Sequence, residues 1–147
     1  MQRPAGLLLE DDAAIHGLLA ATRTIAILGI RSEARADRPA HYVPRYLADA
    51  GFEVFPVPVY EPAVTHILGR PVRRRVCDVP QPLDLVIVFR RPGDIPAHID
   101  DLIAARPAAV WFQSGIRNDE AAARLAAAGI RVVQDRCAMI EHRRMKR

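Results

Sequence analysis

The sequence lacks most of the features that mark specialised classes of protein. Its 147 residues include only two cysteines, Cys77 and Cys137, and 5% aromatic residues. Because the N-terminal segment does not resemble an export signal, we expect reduced thiols in a cytoplasmic protein. No apolar run approaches the roughly 18–20 residues that cross a membrane. The length and the 50% hydrophobic content instead predict one globular domain, residues 1–147, with a sizeable core.

Lysine is almost absent from the chain. Lys146 is the only lysine among 21 basic residues, and the formal net charge is +4. That charge suits an anionic ligand, but it is too small, and the basic clusters are too poor in aromatic residues, to indicate nucleic acid. The clusters at 73–75 and 142–147 are typical of solvated faces. A regulatory protein that contacts a partner through its basic tail is one alternative interpretation.

The short motifs of several enzyme classes are also missing. Neither the dinucleotide pattern GxGxxG nor the phosphate loop GxxxxGK[ST] occurs. The cysteines and histidines do not have the spacing of a metal site, so we predict no metal. Ser114 lacks the glycine pattern of a nucleophile elbow, and no acid pair or base–nucleophile pair forms a catalytic unit. These absences favour a binding module over an enzyme.

Apolar runs that favour β-strands alternate with helical segments along the chain. The predicted strands are 24–30, 52–59, 83–89, 108–113 and 130–134, and the predicted helices are 10–21, 40–50, 92–105, 119–128 and a short one from Met139. Segment 61–79 is irregular, with a short helix near 63–68. Continuous apolar runs are typical of parallel strands covered on both faces. The pattern predicts an α/β fold, a Rossmann-like three-layer sandwich whose five-stranded parallel sheet has the order 3-2-1-4-5.

Arginines accompany the loops that follow the predicted strands. Arg31, Arg35 and Arg38 follow the first strand, and Arg90 and Arg91 follow the third. Ligands of such sheets bind beyond the carboxyl ends of the strands, and guanidinium groups match phosphate geometry. The second strand ends in PVPVY and has no acid before Glu61 that would hold the ribose of a nicotinamide cofactor. This disfavours the alternative of an NAD(P)-binding oxidoreductase.

Cys137 follows the last predicted strand, directly after Arg136. A thiol at the mouth of a site, beside a cation that favours the thiolate, can be reactive. A cysteine is equally at home as a small buried residue. Both interpretations stay open at this stage.

Five segments, which together cover most of the chain from Thr24 onward, form a recognisable pattern. They are TIAILGI at 24–30, RPAHYVPRYLADAGFEVFPV at 38–57, DLVIVFRRPGDIP at 84–96, AVWFQSGI at 109–116 and VVQDRCAMIEH at 132–142. The set resembles the small single-domain CoA-binding protein family, which is related to the N-terminal CoA-binding domain of the succinyl-CoA synthetase alpha subunit. The first loop is longer than the family's GLSP-type stretch, and PVPV replaces the usual PVNP. The phosphorylated histidine and second domain of the synthetase have no counterpart here, so its ligase activity is not implied.

The resemblance implies a Rossmann-like fold that holds coenzyme A across the strand ends. The residues implied along the ligand are, in chain order, Gly29, Ile30, Arg31 and Ser32 at the diphosphate, Arg38 and Pro39 closing that loop, Pro56 and Val57 at the adenosine, Phe89 and Arg90 along the nucleotide or pantetheine, Gln113, Ser114 and Gly115 beside the pantetheine arm, and Cys137 near its end. The implied function is non-catalytic binding, storage or sensing of CoA or an acyl-CoA. We further hypothesise a mixed disulfide between Cys137 and the CoA thiol, and a homodimer is the default expectation for such a small domain.

Overall fold

A computed structural model describes residues 7–146. The strands are β1 (Leu8–Leu9), β2 (Thr24–Leu28), β3 (Glu53–Val57), β4 (His66–Ile67), β5 (Arg70–Pro71), β6 (Leu85–Val88), β7 (Ala109–Phe112) and β8 (Arg131–Val133). The helices are α1 (Asp12–Ala20), α2 (Pro39–Asp49), α3 (Ile99–Ala105), α4 (Asp119–Ala127) and α5 (Ala138–Met145). Within residues 7–146, no helix is both long enough and apolar enough to cross a membrane.

The main sheet is parallel and has six strands in the order β1-β8-β7-β6-β2-β3. The α/β class and the parallel sheet are therefore confirmed, but the predicted strand count and the order 3-2-1-4-5 are wrong. The five predicted strands run 2-1-3-4-5, and β1 adds a sixth at the edge beside β8. Strand β1 pairs only Leu8 with Val132 and Leu9 with Val133, so it is too short to show a periodicity in the sequence. The strand order depends on whether each connecting segment places the next strand on one side of the sheet or the other. A local sequence pattern does not contain this information.

Strand β2 shows how the sheet is covered on both faces. Its neighbours are β3 and β6, which it pairs through Ala26 with Phe55 and with Val86. Successive side chains of a strand point to opposite faces. Ile25 and Ile27 pack in the apolar core that includes residues of α1, α2 and α5, whereas Ala26 and Leu28 pack in the core that includes α3 and α4. The result is the three-layer sandwich that the continuous apolar runs predict.

Two predicted helices have a different form. Two 3-10 turns, Pro92–Asp94 and Pro96–His98, replace the first half of the predicted helix 92–105, and α3 begins only at Ile99. Each proline removes a backbone N–H, which the first turn of a helix tolerates but the interior does not. The helix near 63–68 is absent, and the antiparallel ribbon of β4 and β5 lies there instead. A further 3-10 turn, Glu33–Arg35, occupies the first loop.

Candidate functional site

A cleft of about 660 Å³ opens at the carboxyl ends of the central strands. It lies where β2 meets β6, the point at which the strand order reverses, and open α/β sheets bind their ligands at such a point. Ten of the fourteen predicted site residues line it: Gly29, Arg31, Arg38, Pro39, Phe89, Arg90, Gln113, Ser114, Gly115 and Cys137. Nine lining residues were not predicted: Ala40, Tyr42, Val43, Tyr60, Arg91, Pro92, Ile116, Met139 and Ile140.

Four predicted site residues lie outside this cleft. Ile30 is fully buried in the core, and Pro56 and Val57 are buried within β3. Ser32 is buried as well, because its hydroxyl and its backbone N–H both donate to the carboxylate of Glu61.

The cleft carries an excess of positive charge. Four arginines line it, namely Arg31, Arg38, Arg90 and Arg91, and none of the lining residues is acidic. Three of the four have nearby carboxylates, since Arg31 bonds Glu61 at 3.2 Å and Asp94 lies 3.8 Å and 3.3 Å from Arg90 and Arg91. Within residues 7–146, Arg38 makes no ion pair. Its charge is therefore available to a ligand.

Tyr60, which sequence reasoning missed, lies between two of these arginines. The guanidinium carbons of Arg31 and Arg90 lie 5.1 Å and 5.4 Å from its ring centroid, and Arg90 Nη1 donates to the Tyr60 hydroxyl at 3.1 Å. This hydrogen bond and the charge of Arg90 lower the pKa of the phenol from its usual 10.0. The aromatic ring thus holds the two arginines at one end of the cleft, an arrangement typical of cation–π contacts.

Arg74 fixes the segment that carries Tyr60. Its guanidinium donates to the carbonyl oxygens of Tyr60, Glu61, Pro62 and Val64, at 3.3, 3.2, 3.1 and 2.7 Å. The backbone of Glu61 takes the left-handed conformation, with φ at 60°. Arg74, from the basic cluster at 73–75, therefore has a structural role, because it fixes the backbone of this segment. The sequence offers one signal for Tyr60, an aromatic residue directly after the second predicted strand.

Glu61 is the first acidic residue after the second predicted strand, where a nicotinamide-binding protein has an acid for the ribose. Its carboxylate is hydrogen-bonded to Ser32 and Arg31 within the protein. Burial raises the pKa of this carboxyl group, whereas hydrogen bonds from Ser32 and Arg31 lower it, and the net effect is a pKa below the usual 4.5. Glu61 therefore organises the first loop.

Two helices begin at the cleft. The N-cap of α2 is Arg38 and that of α5 is Cys137, and neither side chain caps its helix. The amide oxygen of Gln113 accepts from the backbone N–H of Ala138 at 2.9 Å, which orients the amide and leaves its nitrogen without a hydrogen bond within residues 7–146. Helix N-termini carry partial positive charge and exposed N–H groups, so both ends favour an anion or a carbonyl oxygen.

Cys137 lines the cleft and is half-buried, but Arg136 does not turn toward it. The guanidinium of Arg136 bonds the carboxylate of Asp12 at 2.8 Å, the carbonyl of Glu10 at 2.7 Å and the carboxylate of Glu141 at 3.4 Å. Its charge is therefore engaged by α1 and α5. Activation of the thiol by Arg136, one of the two interpretations of Cys137, is therefore not supported by these contacts.

Residues 142–145 of the basic tail lie in helix α5, which packs against α1 and α2. Glu141 and His142 are buried, and Arg144 pairs with Asp12 at 2.7 Å and with Glu141 at 3.1 Å. Arg143 lies 5.0 Å above the ring of Tyr46. Because Arg143 and Arg144 make these contacts within the fold, residues 142–146 do not form a separate basic arm.

A parallel sheet with an arginine-lined cleft at its switch point is typical of Rossmann-like proteins that bind anionic cofactors. The family described as "CoA binding domain" matches residues 23–143, and the chain belongs to that family, as the resemblance of its motifs predicts. The Bacillus subtilis (strain 168) protein YneT, described as uncharacterized, is 31% identical over 142 residues, which cover 97% of each chain.

Two solved structures share the fold along nearly the whole chain. A Thermus thermophilus protein, described as cell-free ID.343, is 40% identical with a TM-score of 0.83, and the match covers 92% of this chain and 99% of that one. A hypothetical protein from Pyrococcus horikoshii OT3 is 30% identical with a TM-score of 0.84, and the match covers 100% and 99%. The family and the fold therefore rest on independent comparisons of sequence and structure.

Proposed function

We propose that the cleft binds coenzyme A or an acyl-CoA, and that the protein is a non-catalytic module for its binding, storage or sensing. The observation that carries the proposal is the charge of the lining: four arginines and no carboxylate. CoA presents a diphosphate and a ribose 3′-phosphate, so it offers several anionic groups to arginines on different loops.

The diphosphate would lie near Gly29 and the N-terminus of α2. Gly29 has φ at +88°, and a Cβ there would overlap the carbonyl oxygen of Phe89, so only glycine keeps this turn compact. Arg38, at the N-cap of α2, adds a charge without an ion pair in the described part of the chain. A helix N-terminus combined with such a cation is a favourable anion site.

The rest of the ligand would extend along the other loops. Tyr60 offers a ring for the adenine at the β3 end of the cleft, and the amide nitrogen of Gln113 offers a donor to a carbonyl oxygen of the pantetheine arm. NAD is a poorer fit, because the carboxylate that would hold its ribose, Glu61, is bonded to Ser32 and Arg31. This contrast favours CoA over the oxidoreductase alternative.

Isothermal titration calorimetry with CoA, dephospho-CoA and NAD tests the proposal. We expect CoA to bind most tightly and dephospho-CoA more weakly, since it lacks the 3′-phosphate. Arg38→Ala should weaken CoA binding by roughly tenfold, the order of one charge-assisted hydrogen bond at an exposed site. Arg45→Ala is the matched control, because Arg45 is exposed on the same helix but does not line the cleft. NAD binding more tightly than CoA, or no binding of CoA, would contradict the proposal.

The mixed disulfide of Cys137 belongs to the same proposal, supported by the position of this residue in the cleft. The thiolate would attack one sulfur of CoA disulfide, forming a protein–CoA disulfide while the other CoA leaves as a thiol. Intact mass should show a CoA adduct on the wild type and on Cys77→Ser, since Cys77 lies outside the cleft, but not on Cys137→Ser. An adduct retained by Cys137→Ser, or lost from Cys77→Ser, would refute the hypothesis.

A further inference from the structure

The two ends of the cleft have different chemistry. The loops after β2, β3 and β6 supply four arginines and Tyr60, whereas the loop after β7 and helix α5 supply Ile116, Met139 and Ile140. The strand order places β3 and β8 four positions apart. Neighbouring strands are about 4.8 Å apart, so the outermost loops of the cleft, after β3 and after β8, lie roughly 19 Å apart, whereas the loops after β6 and β7, which carry Arg90 and Ile116, are adjacent. The cleft is therefore cationic at one end and apolar at the other.

Helices α2 and α5 build the apolar end side by side. The hydroxyl of Tyr46 on α2 bonds Nδ1 of His142 on α5 at 2.8 Å, and the two rings meet edge to face. Both helices begin at the cleft. One turn before this contact, α2 presents Tyr42 and α5 presents Met139, and both of these side chains line the cleft.

Ile116 and Met139 pack against the two cores, whereas Tyr42 and Ile140 are largely exposed. Ile140 is 49% exposed and Tyr42 is 41% exposed, and they are two of four large exposed hydrophobic residues in the described part of the chain. A single exposed apolar residue needs no explanation. Here three of the four, Tyr42, Tyr60 and Ile140, line one cleft, together with Met139 and Ile116. Such clustering is typical of a surface that a ligand covers.

We infer that the ligand is an acyl-CoA with a saturated aliphatic acyl group, which the apolar end formed by Tyr42, Ile116, Met139 and Ile140 receives. The inference rests on the proposed function, since it takes the phosphates to lie at the cationic end. The reactive end of CoA is then the end that reaches Cys137 and α5. A free thiol would bury little of this apolar rim. An acyl chain would cover the rim and so remove apolar surface from water, which favours binding.

The test is a calorimetric series with CoA, acetyl-CoA, butyryl-CoA and hexanoyl-CoA. Full burial of one methylene tightens binding by about fourfold. Because this rim is open to solvent on one side, we expect half of that free energy, which gives about fourfold for each pair of methylenes. Ile140→Ser and Tyr42→Ser should each reduce this dependence on chain length. Val59→Ser should preserve it, because Val59 is also exposed and apolar but does not line the cleft.

The outcomes separate this inference from the proposed function. If wild-type protein binds CoA but affinity does not rise with chain length, the acyl inference fails and the proposed function stands. If affinity rises equally in Ile140→Ser, Tyr42→Ser and the wild type, the acyl chain lies elsewhere and the assignment of this rim is wrong. If neither CoA nor any acyl-CoA binds, both proposals fail. Circular dichroism of each variant is the control for folding, and we expect the spectrum of the wild type at these exposed positions.

Discussion

Gly29 shows how much the cleft depends on one residue. It ends β2, where the backbone turns with φ at +88° and passes so close to Phe89 that a Cβ would overlap its carbonyl oxygen. A left-handed conformation costs a residue with a Cβ about 1–2 kcal/mol. We expect Gly29→Ala to lower the free energy of unfolding by more than this, about 3 kcal/mol, because the overlap adds to the strain. Urea denaturation measures the change.

Gly129 provides the control for this prediction. It has nearly the same φ, +85°, but no atom lies within 4 Å of a Cβ built there. Gly129→Ala should therefore cost only the conformational strain, about 1–2 kcal/mol. Equal losses in the two variants would show that the contact with Phe89 does not limit residue 29.

At the scale of elements, helix α5 depends on a buried histidine. Nδ1 of His142 is hydrogen-bonded to the Tyr46 hydroxyl, and the imidazole meets Phe52 edge to face at 5.3 Å between ring centroids. Burial, with a smaller effect of the charge of Lys146, lowers the pKa of His142 below its usual 6.5. His98 behaves in the same way, because burial and the charge of Arg90 lower its pKa. The fold thus favours the neutral form of both imidazoles.

The sign of the resulting pH dependence follows from the two states. A histidine whose pKa is lower in the folded protein binds protons more readily when unfolded, so stability falls as the pH drops below about 6.5. We expect the melting temperature to decrease between about pH 7.5 and pH 5.5. His142→Gln should reduce this decrease, and His66→Gln, at an exposed position, should leave it unchanged. A melting temperature independent of pH in this range would contradict the account.

The elements also show what the sequence could and could not predict. The five longer strands were predicted because a buried parallel strand is a continuous apolar run, a property of neighbouring residues. Strand β1 was missed because its two residues gain their structure from pairing with β8. The late start of α3 follows from Pro92 and Pro96, each of which begins a 3-10 turn within an otherwise helical pattern.

The candidate site divides in the same way. Residues directly after a strand, such as Gly29, Phe89 and Gln113, could be predicted because parallel strands end at one edge of the sheet. The position of Tyr60 also depends on Arg74, which donates to the carbonyl oxygens of residues 60, 61, 62 and 64, and the position of Ile140 depends on the packing of α5 beside α2. These positions depend on contacts between distant parts of the chain, which one sequence does not record.

For the whole molecule, the essential feature is the asymmetry between the edge of the sheet at which the parallel strands end and the opposite edge at which they begin. One edge carries the cleft, the N-termini of α2 and α5, and the four arginines. At the opposite edge, Gly51 and Gly129 end the helices α2 and α4 before the chain enters the next strand. CoA bound in the cleft should therefore change the surroundings of residues only at the edge where the strands end.

Amide chemical shifts of ¹⁵N-labelled protein titrated with CoA test the central claim most directly. The glycines provide an internal comparison, because Gly29 and Gly115 lie in the cleft and Gly51 and Gly129 lie at the opposite edge. We expect CoA to shift the amide signals of Gly29, Gly115 and Ala40 and to leave those of Gly51 and Gly129 in place. Unchanged Gly29 and Gly115 signals at saturating CoA, or shifts confined to the Gly51 and Gly129 edge, would contradict the assignment of this cleft as the CoA site.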